Sequence, residues 1–77
     1  MSEQEILQRI IALFRTMTDA QEITEESELI EDLGVSSMDV LFLVSNLEEE
    51  FGIKISERHI RQMATIGDVT QVVAQLL

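Results

Sequence analysis

The chain has 77 residues, of which 15 are acidic and five are Lys or Arg, giving a formal net charge of −10. The whole imbalance lies in residues 16–53, which contain eleven acidic residues and no Lys or Arg. Such a surface repels phosphate backbones and anionic lipid. It therefore argues against nucleic acid and membranes as partners and favours a basic protein surface.

The first predicted helix runs from about Ser2 to Met17, because its apolar residues recur at intervals of three and four. Residues 18–35 show no sustained period. A connection this long in a small domain is uncommon unless it is functional or packed by its own side chains, so we expect an ordered acidic loop. Four apolar residues of this loop are expected to plug one end of the bundle: Ile23, Leu29, Ile30 and Leu33.

The second predicted helix opens at Ser36 or Ser37 and ends at Phe51, where Gly52 supplies a stop. Residues 51–55 alternate in polarity, but a lone strand has nothing to pair with, so we expect an extended connector. A short third helix covers about 57–63 after Ser56 as N-cap, and the last begins at Thr65 with a capping box to Asp68. The core-facing residues expected from these two helices are Ile60, Met63, Ile66, Val69, Val73 and Leu76.

The fold class that follows is all-α, a four-helix bundle with a long first loop and a short third helix. We expect one domain over residues 1–77, because the 45% hydrophobic content is ordinary for a globular chain. The chain has no apolar run of about 20 residues, and its acidic start is the opposite of a signal peptide. A monomeric, cytoplasmic protein without a membrane span is the expectation.

The sequence offers few side chains that could catalyse a reaction. There is no cysteine, which excludes a disulfide, a thiolate metal site and a cysteine nucleophile. His59 is the only histidine, and Arg58 and Arg61 beside it suit a solvated helix face better than a buried base. The acidic clusters lack the spacing of an EF-hand. We therefore predict no catalytic residue and no metal site.

The second helix has two apolar sides. One is the expected core stripe of Val40, Leu43, Val44, Leu47 and Phe51. The opposite side presents Met38, Leu41 and Phe42, followed by Ser45, Glu48 and Glu49. Apolar groups surrounded by carboxylates indicate a docking surface, and Phe42 is the residue for which exposure is most strongly expected. The alternative is that the loop or the third helix covers Met38 and Leu41.

The start of this helix carries a second indication. Ser36 stands three residues before Asp39, the spacing at which an N-cap hydroxyl and an N3 carboxylate bond each other's backbone N–H groups. The hydroxyl of Ser37 is then free, and a phosphate attached there would sit at the positive end of the helix dipole. Gly34 gives a modifying enzyme access. The plainer alternative is that the paired serines only cap the helix.

The stretch Leu29-Ile30-Glu31-Asp32-Leu33-Gly34-Val35-Ser36-Ser37-Met38-Asp39, followed by Leu47-Glu48-Glu49-Glu50-Phe51, resembles the acyl carrier proteins. That family typically reads D-L-G-x-D-S-L-D, followed by a helix ending in L-E-E-x-F. The resemblance extends over nearly the whole chain. It implies that Ser37 is esterified with 4′-phosphopantetheine from coenzyme A by a phosphopantetheinyl transferase.

The resemblance further implies a carrier rather than an enzyme. Its arm holds acyl groups as thioesters and moves them between partner enzymes of fatty-acid, polyketide or related lipid biosynthesis. Such partners meet the second helix with Arg and Lys. The matching positions here are Glu31, Asp32, Met38, Asp39, Leu41, Glu48 and Glu49, to which the helix projection adds Phe42.

Several positions depart from the common family pattern. Ser36 replaces the usual Asp beside the attachment serine, and Phe42 stands where fatty-acid carriers usually show Glu. The third helix carries Arg58, His59 and Arg61 in a region that is usually acidic. These changes indicate a specialised carrier with dedicated partners. Two alternatives stay open: an aminoacyl or D-alanyl carrier with the same arm, and an unmodified interaction domain.

Overall fold

Four helices and no strand make up the structure, a computed structural model that describes all residues from 1 to 77. The helices are α1 (Glu3–Arg15), α2 (Ser37–Phe51), α3 (Glu57–Arg61) and α4 (Ile66–Leu76). The predicted all-α fold with a short third helix is confirmed. Two helices are shorter than expected, because α1 ends two residues before Met17 and α3 ends two residues before Met63.

Every helix begins with a capping box. In each, the N-cap side chain accepts a hydrogen bond from the N3 backbone N–H, and the N3 side chain accepts one from the N-cap N–H. The four pairs are Ser2 with Glu5, Ser36 with Asp39, Ser56 with His59, and Thr65 with Asp68. All four helix starts are thus set by short-range interactions between residues three apart.

One apolar core joins the helices to the first loop. The side chains of Ile10 and Phe14 from α1 are fully buried, as are those of Leu43 from α2 and Val69 from α4. After α2 the chain forms a connector without a strand, as predicted, and its apolar residues Ile53 and Ile55 are buried. Of the residues expected in the core, Val40, Ile60 and Leu76 are only partly buried.

The predicted ordered loop is confirmed, with one error. Leu29 and Leu33 are buried, but Ile30 is 68% exposed and was wrongly expected in the core. The chain turns here in helix-like fashion, since the N–H of Asp32 donates to the carbonyl of Glu28 at 2.9 Å. Residues four apart then share the inner side, and Ile30 faces outward.

Backbone hydrogen bonds join the loop to the start of α4. Three of them, 2.8 to 3.0 Å long, run from Leu29 to Ala64, from Ile66 to Ser27 and from Gly67 to Glu25, the first of each pair donating its N–H. A Cβ on Gly67 would lie 3.2 Å from the Glu25 carbonyl oxygen, so this close approach suits glycine. These bonds fix the loop against the start of α4, and they thereby fix the position from which the chain enters α2.

None of the four helices combines the length and the apolar character that crossing a bilayer requires.

Candidate functional site

Ser37 is the first residue of α2, and its neighbour Ser36 occupies the N-cap. The N–H of Asp39 donates to Ser36 Oγ at 3.2 Å, and the N–H of Ser36 donates to Asp39 Oδ2 at 3.0 Å. Ser37 is exposed, and its hydroxyl makes no hydrogen bond within the chain. The two serines thus have different roles, as expected: one caps, and the other presents a free hydroxyl.

Gly34 sets the direction in which the loop enters α2. Its φ of 68° is left-handed, which glycine adopts without the cost that a Cβ imposes, and no atom lies within 4 Å of where a Cβ would stand. The next residue, Val35, is buried, and its N–H donates to the carbonyl of Leu29 at 2.9 Å. The turn therefore anchors Val35 in the core and leaves Ser36 and Ser37 at the surface.

Hydrogen bonding keeps a negative charge beside Ser37. The backbone N–H of Ser36 and then its hydroxyl hold the pKa of the Asp39 carboxyl below its ordinary value. Asp39 therefore stays ionised at neutral pH. The backbone N–H groups of Ser37 and Met38 find no acceptor inside the chain, as expected for the first turn of a helix.

The apolar side chains predicted on the outer face of α2 are exposed. The exposed fractions are 79% for Met38, 65% for Leu41 and 62% for Phe42. Neither the loop nor α3 covers them, so the alternative of burial is wrong. The expected exposure of Phe42 is confirmed, and Met38, in the first turn of α2, is more exposed still.

Three of the acidic residues assigned to this face already bond the backbone. The carboxylate of Asp32 accepts from the N–H of Glu28 at 2.8 Å, and that of Glu48 accepts from the N–H of Ile55 at 2.8 Å. Asp39 closes the capping box of α2. Glu31 and Glu49 are exposed and bond nothing, so their charges are fully available to a partner.

A cavity of about 240 Å³ lies beside the start of α2, where no local sequence pattern predicts one. Its lining is mainly apolar and comes from the loop, α2 and the α3–α4 junction: Glu28, Leu29, Ile30, Glu31, Val40, Met63 and Ala64. Val40 stands three residues after Ser37. The apolar character of Ile30 and Met63 was visible in the sequence, but their meeting point was not.

Nothing in the chain activates the Ser37 hydroxyl as a nucleophile. A serine nucleophile needs an adjacent base, and the only histidine bonds Ser56 through its Nδ1. No group of three or more His, Asp or Glu side chains is arranged to hold a metal ion.

Comparison with known proteins identifies the family. Residues 4–73 match the family model described as "Phosphopantetheine attachment site". The chain belongs to the acyl carrier protein family. It is 32% identical over 78 residues to the acyl carrier protein of Thermotoga maritima, with 99% of this chain and 96% of that protein covered.

Solved acyl carrier proteins share the fold. A Mycobacterium tuberculosis protein described as an acyl carrier protein superposes with a TM-score of 0.83 at 36% identity, covering 91% of this chain and 96% of that one. The acyl carrier protein of Enterococcus faecalis gives a TM-score of 0.85 at 25% identity over the full length of both chains. As an acyl carrier protein, this chain is a carrier and not an enzyme, and its cofactor is a covalently attached 4′-phosphopantetheine.

Proposed function

We propose that Ser37 bears the 4′-phosphopantetheine and that residues 1–77 act as one carrier domain in fatty-acid, polyketide or related specialised lipid biosynthesis. The observation that carries this proposal is the free, exposed hydroxyl of Ser37 beside a serine committed to capping. When bound, the group supplies a terminal thiol that holds an acyl chain as a thioester. A cytoplasmic location, where coenzyme A is available, is part of the proposal.

The surroundings of Ser37 fit a phosphodiester. The free N–H groups of Ser37 and Met38 lie at the positive end of a 15-residue helix, where a phosphate is stabilised. The Ser36 hydroxyl is engaged in the cap, where it accepts the Asp39 N–H, whereas that of Ser37 has no partner within the chain. The Asp39 carboxylate opposes the added negative charge, but its oxygen is held toward the backbone of Ser36.

The transfer itself makes one bond at Ser37 and breaks one in coenzyme A. The Ser37 Oγ bonds the phosphorus that carries the pantetheine, the pyrophosphate linkage breaks, and adenosine 3′,5′-bisphosphate leaves. The hydroxyl proton must pass to a base of the phosphopantetheinyl transferase, because this chain places no histidine beside Ser37. The chain contributes by exposing the Ser37 Oγ to solvent at the end of a loop that backbone hydrogen bonds hold in position.

The outer face of α2 is the proposed docking surface for this transferase and for acyl-loading and acyl-transferring enzymes. It combines the exposed side chains of Met38, Leu41 and Phe42 with the free carboxylates of Glu31 and Glu49. Asp32, Asp39 and Glu48 contribute charge while they hold the backbone. The partner surface that fits is an apolar patch surrounded by Arg and Lys.

Phe42 makes this face more apolar than an acidic residue would, so we propose dedicated partners rather than a general set. Both Phe42 and Met38 lie within two turns of Ser37, where a partner that receives the arm must touch the carrier. Mass spectrometry of the protein isolated from its native cell identifies the cargo. Recovery of an aminoacyl group would replace the acyl carrier proposal with the aminoacyl one.

Intact-mass spectrometry tests the attachment site. The purified protein is incubated with coenzyme A and a broad-specificity phosphopantetheinyl transferase, and we expect a gain of exactly one phosphopantetheine group. Ser37→Ala should gain nothing, whereas Ser36→Ala, the matched control one residue away, should still be modified. Equal addition to Ser37→Ala would overturn the assignment, as would loss of modification in Ser36→Ala alone.

A second comparison tests the unmodified interaction domain. Under the carrier proposal, Ser37→Ala abolishes acyl loading while the helical circular dichroism is unchanged. If Ser37→Ala retained full function and only Phe42→Ala lost it, the face of α2 would act without the arm, and the carrier proposal would fail.

A further inference from the structure

His59 closes the capping box of α3, a position that the other three helices give to a carboxylate. Those carboxylates belong to Glu5, Asp39 and Asp68. Carboxylates ordinarily lose their charge near pH 4, whereas imidazole is the side chain that changes charge between pH 5 and 8. One of the four helix starts therefore depends on an imidazole, whose ring nitrogen can accept a hydrogen bond only when it carries no proton.

The contacts of the imidazole define which of its forms fits. The Ser56 N–H points at His59 Nδ1 at 3.3 Å, the Ser56 Oγ lies 2.8 Å from the same nitrogen, and the His59 N–H donates to Ser56 Oγ at 3.4 Å. Nδ1 can accept from the backbone only when it carries no proton. The box seen here thus requires the neutral imidazole with its proton on Nε2.

Protonation of Nδ1 removes one of the two backbone hydrogen bonds of this capping box. Nδ1 then becomes a donor that can bond only the Ser56 hydroxyl, and the Ser56 N–H loses its acceptor. The added positive charge also stands in the first turn of a helix, where the dipole disfavours it. Both effects act against the start of α3.

Little else holds this turn. α3 has five residues, none of them buried, and Ile60 is only partly buried against the core. Its one ion pair, between Arg61 and Glu57, is 3.8 Å long and fully at the surface, and no carboxylate lies within 4.0 Å of the imidazole. A short helix with so few contacts depends on its cap more than a long one does.

No charged group of the surrounding segments replaces Nδ1 as the acceptor of the Ser56 N–H once the imidazole is protonated. The charged residues of these segments are Glu57, Arg58 and Arg61 on α3, Lys54 on the connector, Glu48 on α2, Glu28 and Glu31 on the loop, and Asp68 on α4. Glu48 already accepts from Ile55, and Asp68 accepts from Ala64 and Thr65. The far end of α3 stays tied to the loop through the bond from Leu29 to Ala64.

We propose that His59 is a proton-sensitive cap, so that acidification from pH 7.5 to 5.5 loosens residues 56–61 while α1, α2 and α4 keep their caps. The loosened segment leads directly to Met63, which lines the cavity beside α2. Uptake of a proton at His59 would thus act on the segment that adjoins the cavity wall and not on the wall itself. This inference does not depend on the modification of Ser37.

Amide hydrogen exchange of the full chain, followed residue by residue by NMR, tests the inference. Protection factors, which are corrected for intrinsic pH effects, should fall about fivefold at Ile60 and Gln62, whose N–H groups bond carbonyls of this turn, between pH 7.5 and 5.5. This is the size expected for loss of a cap. Those of α1, α2 and α4 should change by less than twofold. The midpoint must coincide with that of the His59 ring proton shifts in the same samples.

His59→Gln is the matched control, because Gln can close a capping box and does not titrate. We expect it to keep the protection of α3 at both pH values, while His59→Ala is weakly protected at both. Equal pH dependence in His59→Gln and the unaltered chain would overturn the inference. Constant protection of α3 across the ring titration of the unaltered chain would overturn it as well.

Discussion

The carboxylate of Glu48 accepts a hydrogen bond of 2.8 Å from the backbone N–H of Ile55, across the turn at Gly52. This bond ties the last turns of α2 to the connector that leads into α3. Ile55 is buried, so its N–H has little access to water as a substitute partner. A residue predicted to serve partners is thus also a structural residue.

Replacing Glu48 should therefore cost stability where replacing its neighbour does not. We expect Glu48→Ala to lower the free energy of unfolding by about 1 kcal/mol, because the Ile55 N–H loses its acceptor. The control is Glu49→Ala, whose carboxylate bonds nothing, with a change below about 0.5 kcal/mol. Urea denaturation followed by circular dichroism measures both, and equal losses would contradict the role of this bond.

Replacing each of the two serines at the start of α2 should change the stability of the protein by different amounts, because only Ser36 caps the helix. Ser36→Ala removes the N-cap and should lower the free energy of unfolding by about 1 kcal/mol. Ser37→Ala should change it by less than about 0.5 kcal/mol, because that hydroxyl makes no bond within the chain. An unchanged thermal midpoint in Ser36→Ala would mean that another group caps the helix.

Acid should weaken the cap of α2 in a defined direction. The pKa of Asp39 is lowered in the folded chain by the Ser36 N–H and hydroxyl, so its carboxylate binds protons less readily there than in the unfolded chain. This contribution to stability is present above the ordinary carboxyl range and is lost as pH falls through the lowered pKa. We expect the unfolding free energies of the unaltered chain and Asp39→Asn to converge below about pH 4.

Denaturant unfolding at a series of pH values between 7 and 3 checks this convergence. Glu22→Asn, which removes an exposed loop carboxylate outside the capping boxes, is the control. A constant difference between the unaltered chain and Asp39→Asn down to pH 3 would show that the Asp39 charge does not support the cap.

The free carboxylates of the docking face should govern the association rate. At low salt, Glu31→Gln combined with Glu49→Gln should slow association with a basic partner enzyme about tenfold, because both charges are available for steering. The control is Glu22→Gln with Glu26→Gln, which removes the same charge from two exposed loop residues that are not part of the proposed docking surface. Stopped-flow fluorescence measures both, and equal slowing would assign the effect to net charge alone.

The helices and their starts were predictable because they depend on residues close in sequence. The Ser36 to Asp39 and Thr65 to Asp68 spacings predicted two capping boxes, and the apolar period predicted α1 and α2. The His59 box was not predicted, although Ser56 was, since histidine is not the usual N3 partner. Local patterns alone thus predict that Ser37 lies at the start of α2.

The parts that were missed depend on contacts between distant segments. No local pattern pairs Glu48 with Ile55, and the cavity forms only where Ile30 and Val40 meet Met63. Ile30 itself was assigned to the core because an irregular segment has no period from which to read its facing. Which carboxylates are free for partners follows from these contacts and not from composition.

The backbone bonds between the loop and the start of α4 also determine where this carrier tolerates extra chain. An insertion within residues 25–29 would shift the register of all three bonds and displace the turn that precedes Ser37. Residues 19–22 make no backbone bond to another segment and are almost all exposed. A fluorescent label or a tether at Gln21 would therefore report on the carrier in its complexes while leaving α2 and its proposed attachment point in place.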